Sequence, residues 1–337
     1  MGKKIVNASG VSFIIPTLNT ERTIRKCLSC ISIQDYPKSK IEVLILDGGS
    51  TDRTIPIVKT FKNINVRIIH AGHKDNQEAR RMVGFKKARY DLICILDSDN
   101  YLGSKDWVSR MVKPMIDCPN LIGSFTLHYH YDPRQTPFNR YVALFGGHDP
   151  VSYYLNKTDR LKWTDQTWVR TEQILSHNSR YLVVKFDSND FPTLGSNGSI
   201  IRKKLVDLHE LTPEMFFHTD ILYDLLSKNY NKYAVVDVPL IHDTHSTLLR
   251  NIKKRVEYMS LHHVKLAKLR RYKVFNSQSP KDIFNLIKFI LFTVTVVEPL
   301  SESIVGFVKV PDLAWFMHPM ACWYFLVGYS LSVLKSK

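Results

Sequence analysis

At 337 residues the chain is long enough for one large domain and an appendage, and its five cysteines lack the number and spacing of a disulfide framework. The formal net charge of +16 implies anionic partners: phosphates, nucleic acid or an acidic membrane surface. Much of the excess lies between Arg250 and Lys273, where Glu257 is the single acid. Met1-Gly2-Lys3-Lys4 is not followed by an apolar run, so no secretory signal is expected, and the sequons at Asn7, Asn156 and Asn197 carry little weight.

Val11 to Pro16 reads as a first strand, stopped by proline. A loop, Thr17 to Glu21, leads into a helix ending near Ile33. Cys27 and Cys30 fall inside that helical pattern with no second C-x-x-C to complete a zinc site, so they are expected as reduced core residues. Ile41 to Leu46 is a second strand. It closes on Asp47-Gly48-Gly49-Ser50-Thr51-Asp52, whose glycines permit a tight turn beside a ligand. A helix over Thr54–Phe61, a strand over Val66–His70, a helix over Ala79–Arg89 and a strand over Leu92–Leu96 follow. This alternation predicts an α/β fold with a mostly parallel, doubly wound sheet.

The fourth strand runs into Asp97-Ser98-Asp99-Asn100. In extended backbone, residues i and i+2 share a side, so Asp97 and Asp99 would converge just past the strand's carboxyl end, where open α/β sheets hold ligands. Two hard oxygen donors there suit Mg²⁺ or Mn²⁺ carrying a phosphate. The same four residues are good turn formers, which leaves a plain solvated turn open.

The middle of the chain is aromatic. Trp163, Trp168, Tyr153, Tyr154 and Tyr181 are either a sugar-stacking surface or packing residues, the second being favoured. A two-glycine loop spans Phe191 to Ser199. Beyond it come the short apolar piece Ile200-Ile201, a helix over Pro213–Lys228 carrying Asp220, and a strand over Ala234–Ile241 that ends at His242-Asp243-Thr244-His245.

From Pro280 the composition turns apolar. Ile283 to Val297 is broken by Glu298-Pro299, and Leu313 to Leu334 is free of Asp, Glu, Lys and Arg and long enough to span a bilayer, though Pro319 interrupts it. Two membrane helices, two interfacial helices or a helical lid are the alternatives. The upstream basic cluster favours an anionic membrane surface, with the main domain on the cytoplasmic side. The expected division is a main domain over 1–248, a basic juxtamembrane segment over 249–280 and an apolar helical hairpin over 281–337.

Three segments converge on one family. Val11-Ser12-Phe13-Ile14-Ile15-Pro16-Thr17-Leu18-Asn19-Thr20-Glu21, Leu46-Asp47-Gly48-Gly49-Ser50-Thr51-Asp52-Arg53-Thr54 and Leu96-Asp97-Ser98-Asp99-Asn100 resemble, in order and spacing, the signature series of family 2 glycosyltransferases. The resemblance extends over about Val11 to Arg255, and it implies that 1–248 is a catalytic domain with a nucleotide-binding half about 10–101 and an acceptor half about 102–248. It implies the GT-A fold, a UDP- or GDP-linked sugar donor, an inverting reaction and a divalent metal. Pro16, Asn19 and Glu21 then lie where the family holds the nucleoside, Asp47 where it contacts the base, and Asp97 and Asp99 form the DXD pair, with Asp99 nearest the metal. Gly195-Ser196-Asn197-Gly198 resembles the loop beside donor sugar and acceptor. His218-Thr219-Asp220 resembles the Glu-Asp motif, with threonine in place of glutamate and Asp220 in the base position. His242, or alternatively His245, resembles a histidine added to the metal shell, and Arg255 a basic residue near the pyrophosphate. The Gln-x-x-Arg-Trp motif of processive synthases is absent: Ile252 and Val256 occupy the Gln and Trp positions.

The chemistry follows from the residues as well. Charge developing on a departing nucleoside diphosphate needs a cation or basic side chain, and a single displacement needs a base on the opposite face. Because a phosphate acceptor would need no base, Asp220 favours a hydroxyl acceptor, such as a sugar on a lipid carrier or a cell-surface glycan. A polyprenyl-phosphate acceptor is the near alternative. A basic nucleic-acid-binding protein or a non-catalytic scaffold is the remote one, and no nucleic-acid partner is expected.

Overall fold

A computed structural model of the protein describes residues 8–165, 173–178, 180–209 and 211–335. The chain forms two compact units. One comprises Met1–Leu127, Thr171–Asp190 and Leu194–Asp243; the other comprises His128–Arg170, Phe191–Thr193 and Thr244–Lys337. The segment after Leu127, placed by the sequence with the acceptor half, thus groups with the C-terminal helices.

In chain order the first unit begins β1 (Val11–Thr17), α1 (Ile24–Ser32), β2 (Ile41–Asp47), α2 (Thr54–Val58), β3 (Asn65–His70), α3 (Gln77–Lys87), β4 (Leu92–Ile95), β5 (Asn100–Leu102), α4 (Trp107–Asp117) and β6 (Gly123–Thr126). The chain then enters the second unit with α5 (Pro137–Phe145) and α6 (Pro150–Tyr154). It returns to the first for β7 (Gln173–Asn178), β8 (Tyr181–Lys185), β9 (Ser199–Arg202), α7 (His218–Ser227), β10 (Lys232–Val236) and β11 (Leu240–His242). It ends in the second with α8 (Leu248–Met259), α9 (Pro280–Thr295), α10 (Val297–Lys309) and α11 (Met317–Leu334).

Among the described residues the first unit is built on a nine-stranded sheet in the order β3-β2-β1-β4-β9-β6-β10-β8-β7. Strands β3, β2, β1 and β4 run parallel, as do β6 and β10, while β9 and β8 run against their neighbours. Strands β1, β2 and β4 are buried along their whole length, as expected of apolar runs covered on both faces. Register sets Thr17 beside Asp47, so the loops after β1 and β2 leave the sheet together. Helix α3 lies close on the sheet because residue 84 is glycine: a Cβ there would come within 2.6 Å of Leu46 Cδ1.

The helix expected over Thr54–Phe61 ends at Val58, and three further expected elements differ. The helix expected over Pro213–Lys228 starts only at His218. The strand expected over Ala234–Ile241 divides into β10 and β11 around Pro239, whose missing N–H favours a break. And the chain after β4 turns at once, with Asn100 N bonded to Asp97 O at 3.0 Å. Asp97 and Asp99 therefore sit in a turn, not in the extended backbone from which their convergence was expected. That turn feeds β5, which pairs antiparallel with β11 and sets Asn100 opposite His242.

In the second unit a buried histidine organises the packing. His318, at the start of α11, stacks on Phe145 with ring centroids 4.0 Å apart. Its Nδ1 lies 3.2 Å from the Tyr141 hydroxyl and its Nε2 3.2 Å from that of Tyr154. The expected span Leu313–Leu334 is divided into a 3₁₀ turn, Leu313–Phe316, and α11, and it buries Trp315, His318, Ala321, Cys322 and Phe325. Among the described residues no single helix is long and apolar enough to cross a membrane; α9 and α10 qualify only together, bent by 80°. The break falls at Val296, at φ +63°. Large apolar side chains stay exposed along this pair, among them Phe284, Ile287, Leu291, Val297 and Val308.

Burial, helped by Lys162, pushes the His318 imidazole down to about 3. The folded chain keeps it neutral, whereas the unfolded chain binds a proton below roughly pH 6.5. This contribution to stability is complete above that pH and is lost as pH falls toward 3. Thermal unfolding followed between pH 7.5 and 5 should show a steeper acid loss in wild type than in His318→Gln; equal slopes would contradict this assignment.

Candidate active site

The loops after β1 and β2 are laced together by side chains from both. Asn19, at φ +53°, accepts from Thr51 N at 2.9 Å through Oδ1, while its own N–H donates to Ser50 Oγ at 3.0 Å. Glu21 Oε2 accepts from Arg53 N, and Glu21 N donates to Asp52 Oδ2, both at 3.0 Å. Asp47, at the end of β2, is 3% exposed and folds onto its own turn. It accepts from Gly49 N at 3.1 Å and from Ser50 Oγ at 2.6 Å. Gly49 follows at φ +98°. Pro16 is buried in β1 beside Leu46. The structure thus brings Pro16, Asn19, Glu21 and Asp47 into one rim and shows what holds that rim rigid.

The first DXD carboxylate is engaged by α3. Asp97 Oδ1 accepts from Gln77 Nε2 and from Arg81 Nη2, each at 2.7 Å. Arg81 is itself buried and ion-paired with Glu78. Glu78 then reaches the start of α7: Oε2 accepts from His218 N at 3.1 Å, and Oε1 lies 3.0 Å from His218 Nδ1. Burial opposes the Glu78 charge, but Arg81 and His218 outweigh it and hold the carboxyl well below the usual range. Next to Arg81, Arg80 is 5% exposed and donates to the carbonyls of His73 and Lys74 at 2.7 and 2.9 Å. Sequence reading passed over Gln77, Glu78, Arg80 and Arg81. Their signal was a run of long polar residues on a helix whose other positions, Ala79, Met82 and Phe85, are core.

Asp99 is presented to the opposite side. The β5–β11 pairing brings His242 Nε2 to 3.9 Å from Asp99 Oδ2, and Asn100 Nδ2 donates to Asp99 Oδ1 at 2.9 Å. Two ligand atoms this far apart could both hold an ion at roughly 2.1 Å from each. Carboxylate oxygen suits Mg²⁺ and Mn²⁺, and the imidazole tilts the pair toward the transition metal. Among the described residues no three His, Cys, Asp or Glu side chains form a ready cluster. The donor set therefore fits an ion whose shell is completed by phosphate oxygens and water. His242 is the histidine that meets Asp99; His245 is exposed, at φ +47°, and belongs to the other unit.

The Gly195-Ser196-Asn197-Gly198 loop takes positive φ at three of its four residues: +100°, +38° and +77° at Gly195, Asn197 and Gly198. It is tied to the sheet by Gly198 N to Ile95 O at 2.7 Å, and internally by Ser199 Oγ to Ser196 O at 2.8 Å. Gly198 has no room for a Cβ, which would meet Leu240 Cδ2 at 2.8 Å. Asp220 lies in the first turn of α7 and is wholly buried. Arg255 belongs to the second unit, where it sits 3.8 Å from Asp149 and over the Tyr258 ring at 5.0 Å.

The aromatic residues are mostly packing groups. Tyr153 and Tyr154 surround His318, Tyr181 donates to Asp117 at 2.9 Å, and Trp163 contacts His128, His130 and Tyr131; Trp168 lies outside the described residues. Cys27 is core, and burial pushes the Cys30 thiol up to about 11.

Because Arg81 neutralises a fully enclosed carboxylate, Arg81→Met should cost about 3–5 kcal/mol of stability. Urea denaturation of the purified variant measures it, and a loss below 1 kcal/mol would contradict the network.

A family model described as glycosyl transferase family 2 matches residues 12–183, about half of the chain. Glycosyltransferase AglE of Haloferax volcanii is 37% identical over 104 residues, 30% of this chain and 34% of the relative. A dolichyl N-acetyl-α-D-glucosaminyl phosphate 3-β-D-2,3-diacetamido-2,3-dideoxy-β-D-glucuronosyltransferase of Methanococcus voltae is 39% identical over 97 residues, 27% of this chain and 29% of the relative. These matches span about a third of the length of each relative. Among solved structures, the mannosyltransferase PcManGT from Pyrobaculum calidifontis, in complex with GDP-Man and Mn²⁺, superposes with a TM-score of 0.57 at 13% identity, covering 98% of this chain and 89% of that one. On the family match over half its length and the shared mixed α/β architecture, the chain belongs to glycosyltransferase family 2 and has the GT-A fold.

Proposed function

We propose that this protein transfers a sugar, with inversion, from a UDP- or GDP-linked donor to a hydroxyl on a lipid-linked or cell-surface glycan. The observation that carries this reading is the pair Asp99 and His242, 3.9 Å apart beyond the end of β4, with Asp97 fixed alongside by Arg81. Asp99 and His242 would hold Mg²⁺ or Mn²⁺, which when bound supplies positive charge to the leaving diphosphate. The rim of Pro16, Asn19, Glu21 and Asp47 receives the nucleoside, and the Gly195–Gly198 backbone lies by the sugar. PcManGT binds GDP-Man and Mn²⁺, and the Methanococcus relative is named for transfer onto a dolichyl phosphate-linked sugar; both favour this class of donor and acceptor. A bare polyprenyl phosphate is the competing acceptor.

With Mn²⁺ and a saturating matching donor (GDP-mannose or UDP-GlcNAc as first probes), the melting temperature should rise by several degrees, since 100-fold excess over Kd adds about 2.7 kcal/mol. Asp99→Asn should remove the shift. No shift with any nucleotide sugar, metal present, would sink the reading. Assays on a lipid-linked sugar and on polyprenyl phosphate then separate the two acceptors.

We further propose that the protein works on an anionic membrane surface. The apolar faces of α9 and α10 are exposed, and the Arg250–Lys273 stretch supplies the charge that anionic headgroups attract. Flotation with phosphatidylserine-containing vesicles should recover the protein at low salt, and less of it at 0.5 M NaCl. Replacing Phe284, Ile287 and Leu291 by serine should reduce recovery strongly; unchanged flotation would contradict this docking face.

A further inference from the structure

We propose that His218, oriented by Glu78, is the base that takes the proton of the acceptor hydroxyl. This rests on the glycosyltransferase reading above and departs from it at one residue. Asp220 occupies the base position by sequence, yet its side chain is wholly enclosed in the first turn of α7. The His218 ring lies two residues earlier, with 11% of its side chain exposed.

The ring is held from both ends of one carboxylate. Glu78 Oε2 accepts from the His218 backbone N–H, and Oε1 lies 3.0 Å from Nδ1. A carboxylate accepts only, so the contact assigns the proton to Nδ1 and leaves the lone pair on Nε2. Arg81 Nη1 is more distant from Nδ1, at 3.3 Å, and is already paired with Glu78. Phe217 stacks against the ring at 4.9 Å, fixing its plane. Thr219 stands where the family motif has glutamate, and here the carboxylate at this helix start arrives from α3 instead.

Two contacts tie His218 to the candidate site. Arg81 touches both His218 Nδ1 and Asp97 Oδ1, so one guanidinium separates the imidazole from the first DXD carboxylate. The Gly195 backbone passes the start of α7, where a Cβ would meet His218 O at 3.2 Å. The step balances: the acceptor oxygen forms the new bond to the anomeric carbon, and the bond to the diphosphate breaks with its electron pair on the leaving oxygen. The hydroxyl proton moves to Nε2, giving an imidazolium whose Nδ1–H stays on Glu78.

The charged groups facing His218 are Glu78 and Arg81 from α3, with Asp97 beyond Arg81 and Asp220 on its own helix. The test uses the full-length protein, Mn²⁺ and the donor found by thermal shift, with water as acceptor and donor hydrolysis as the readout. Wild-type kcat should fall on the acid side as the imidazole protonates. His218→Gln should lower kcat about 10²–10⁴-fold, leave the donor KM nearly unchanged and abolish the acid limb. Glu78→Gln should lower kcat by releasing the ring from its carboxylate, and Asp220→Asn should keep the acid limb. A limb that survives in His218→Gln and vanishes in Asp220→Asn overturns the proposal. Independently of any turnover, ¹⁵N-histidine NMR should show His218 as the Nδ1–H tautomer in wild type; an Nε2–H tautomer overturns it. A protein that hydrolyses no donor fails the glycosyltransferase reading and this proposal together, whereas donor hydrolysis with the acid limb intact in His218→Gln fails this proposal alone.

Discussion

One guanidinium holds the candidate site together. Arg81 is buried, and a charge taken out of water must be matched by opposite charge or hydrogen-bond acceptors. It is matched twice, by Glu78 on its own helix and by Asp97 at the end of the β4 turn. Because Glu78 is also enclosed and also bonded to His218, neither carboxylate can move without exposing a buried charge. The position of α3 on the sheet, which Gly84 permits, therefore fixes the geometry of two loops and the start of α7 at once.

That constraint divides labour between the two DXD carboxylates. Asp97 is committed to protein partners through Oδ1 and serves to fix the turn. Asp99, about one-third exposed, is turned toward His242. The other rim follows the same logic with neutral partners: Asn19, Glu21 and Asp47 spend oxygens on backbone N–H groups of neighbouring turns. Such a rim is set before a ligand arrives, which lowers the ordering cost of binding.

Much of the first unit was legible because its signals are local. Apolar runs of strand length, interrupted by glycine, proline and small polar residues, place β1, β2, β3 and β4 within about a residue of where they fold. The carboxylate pair was legible as a motif but not as a shape, since extended and turn backbone use the same four residues. The roles of Glu78 and Arg81 were not legible: on a helix, long polar residues usually face solvent, and only the contact with α7, about 140 positions away, buries them. The packing of the C-terminal segment was not legible either. A run free of Asp, Glu, Lys and Arg over Leu313–Leu334 has the composition of a membrane span, but His318 and Trp315 pack inward within the second unit.

By itself, then, the sequence determined the element order, the parallel strand core, the family and the carboxylate pair that follows β4. These depend on periodicity and turn chemistry, which short stretches carry in full. Tertiary structure alone decided which carboxylate would be spent on Arg81 and which set against a histidine. It also set His242 rather than His245 against Asp99, and left His218 rather than Asp220 within reach of solvent. Those choices depend on strand register and on buried charges seeking partners across long sequence separations, and both are properties of the packed chain.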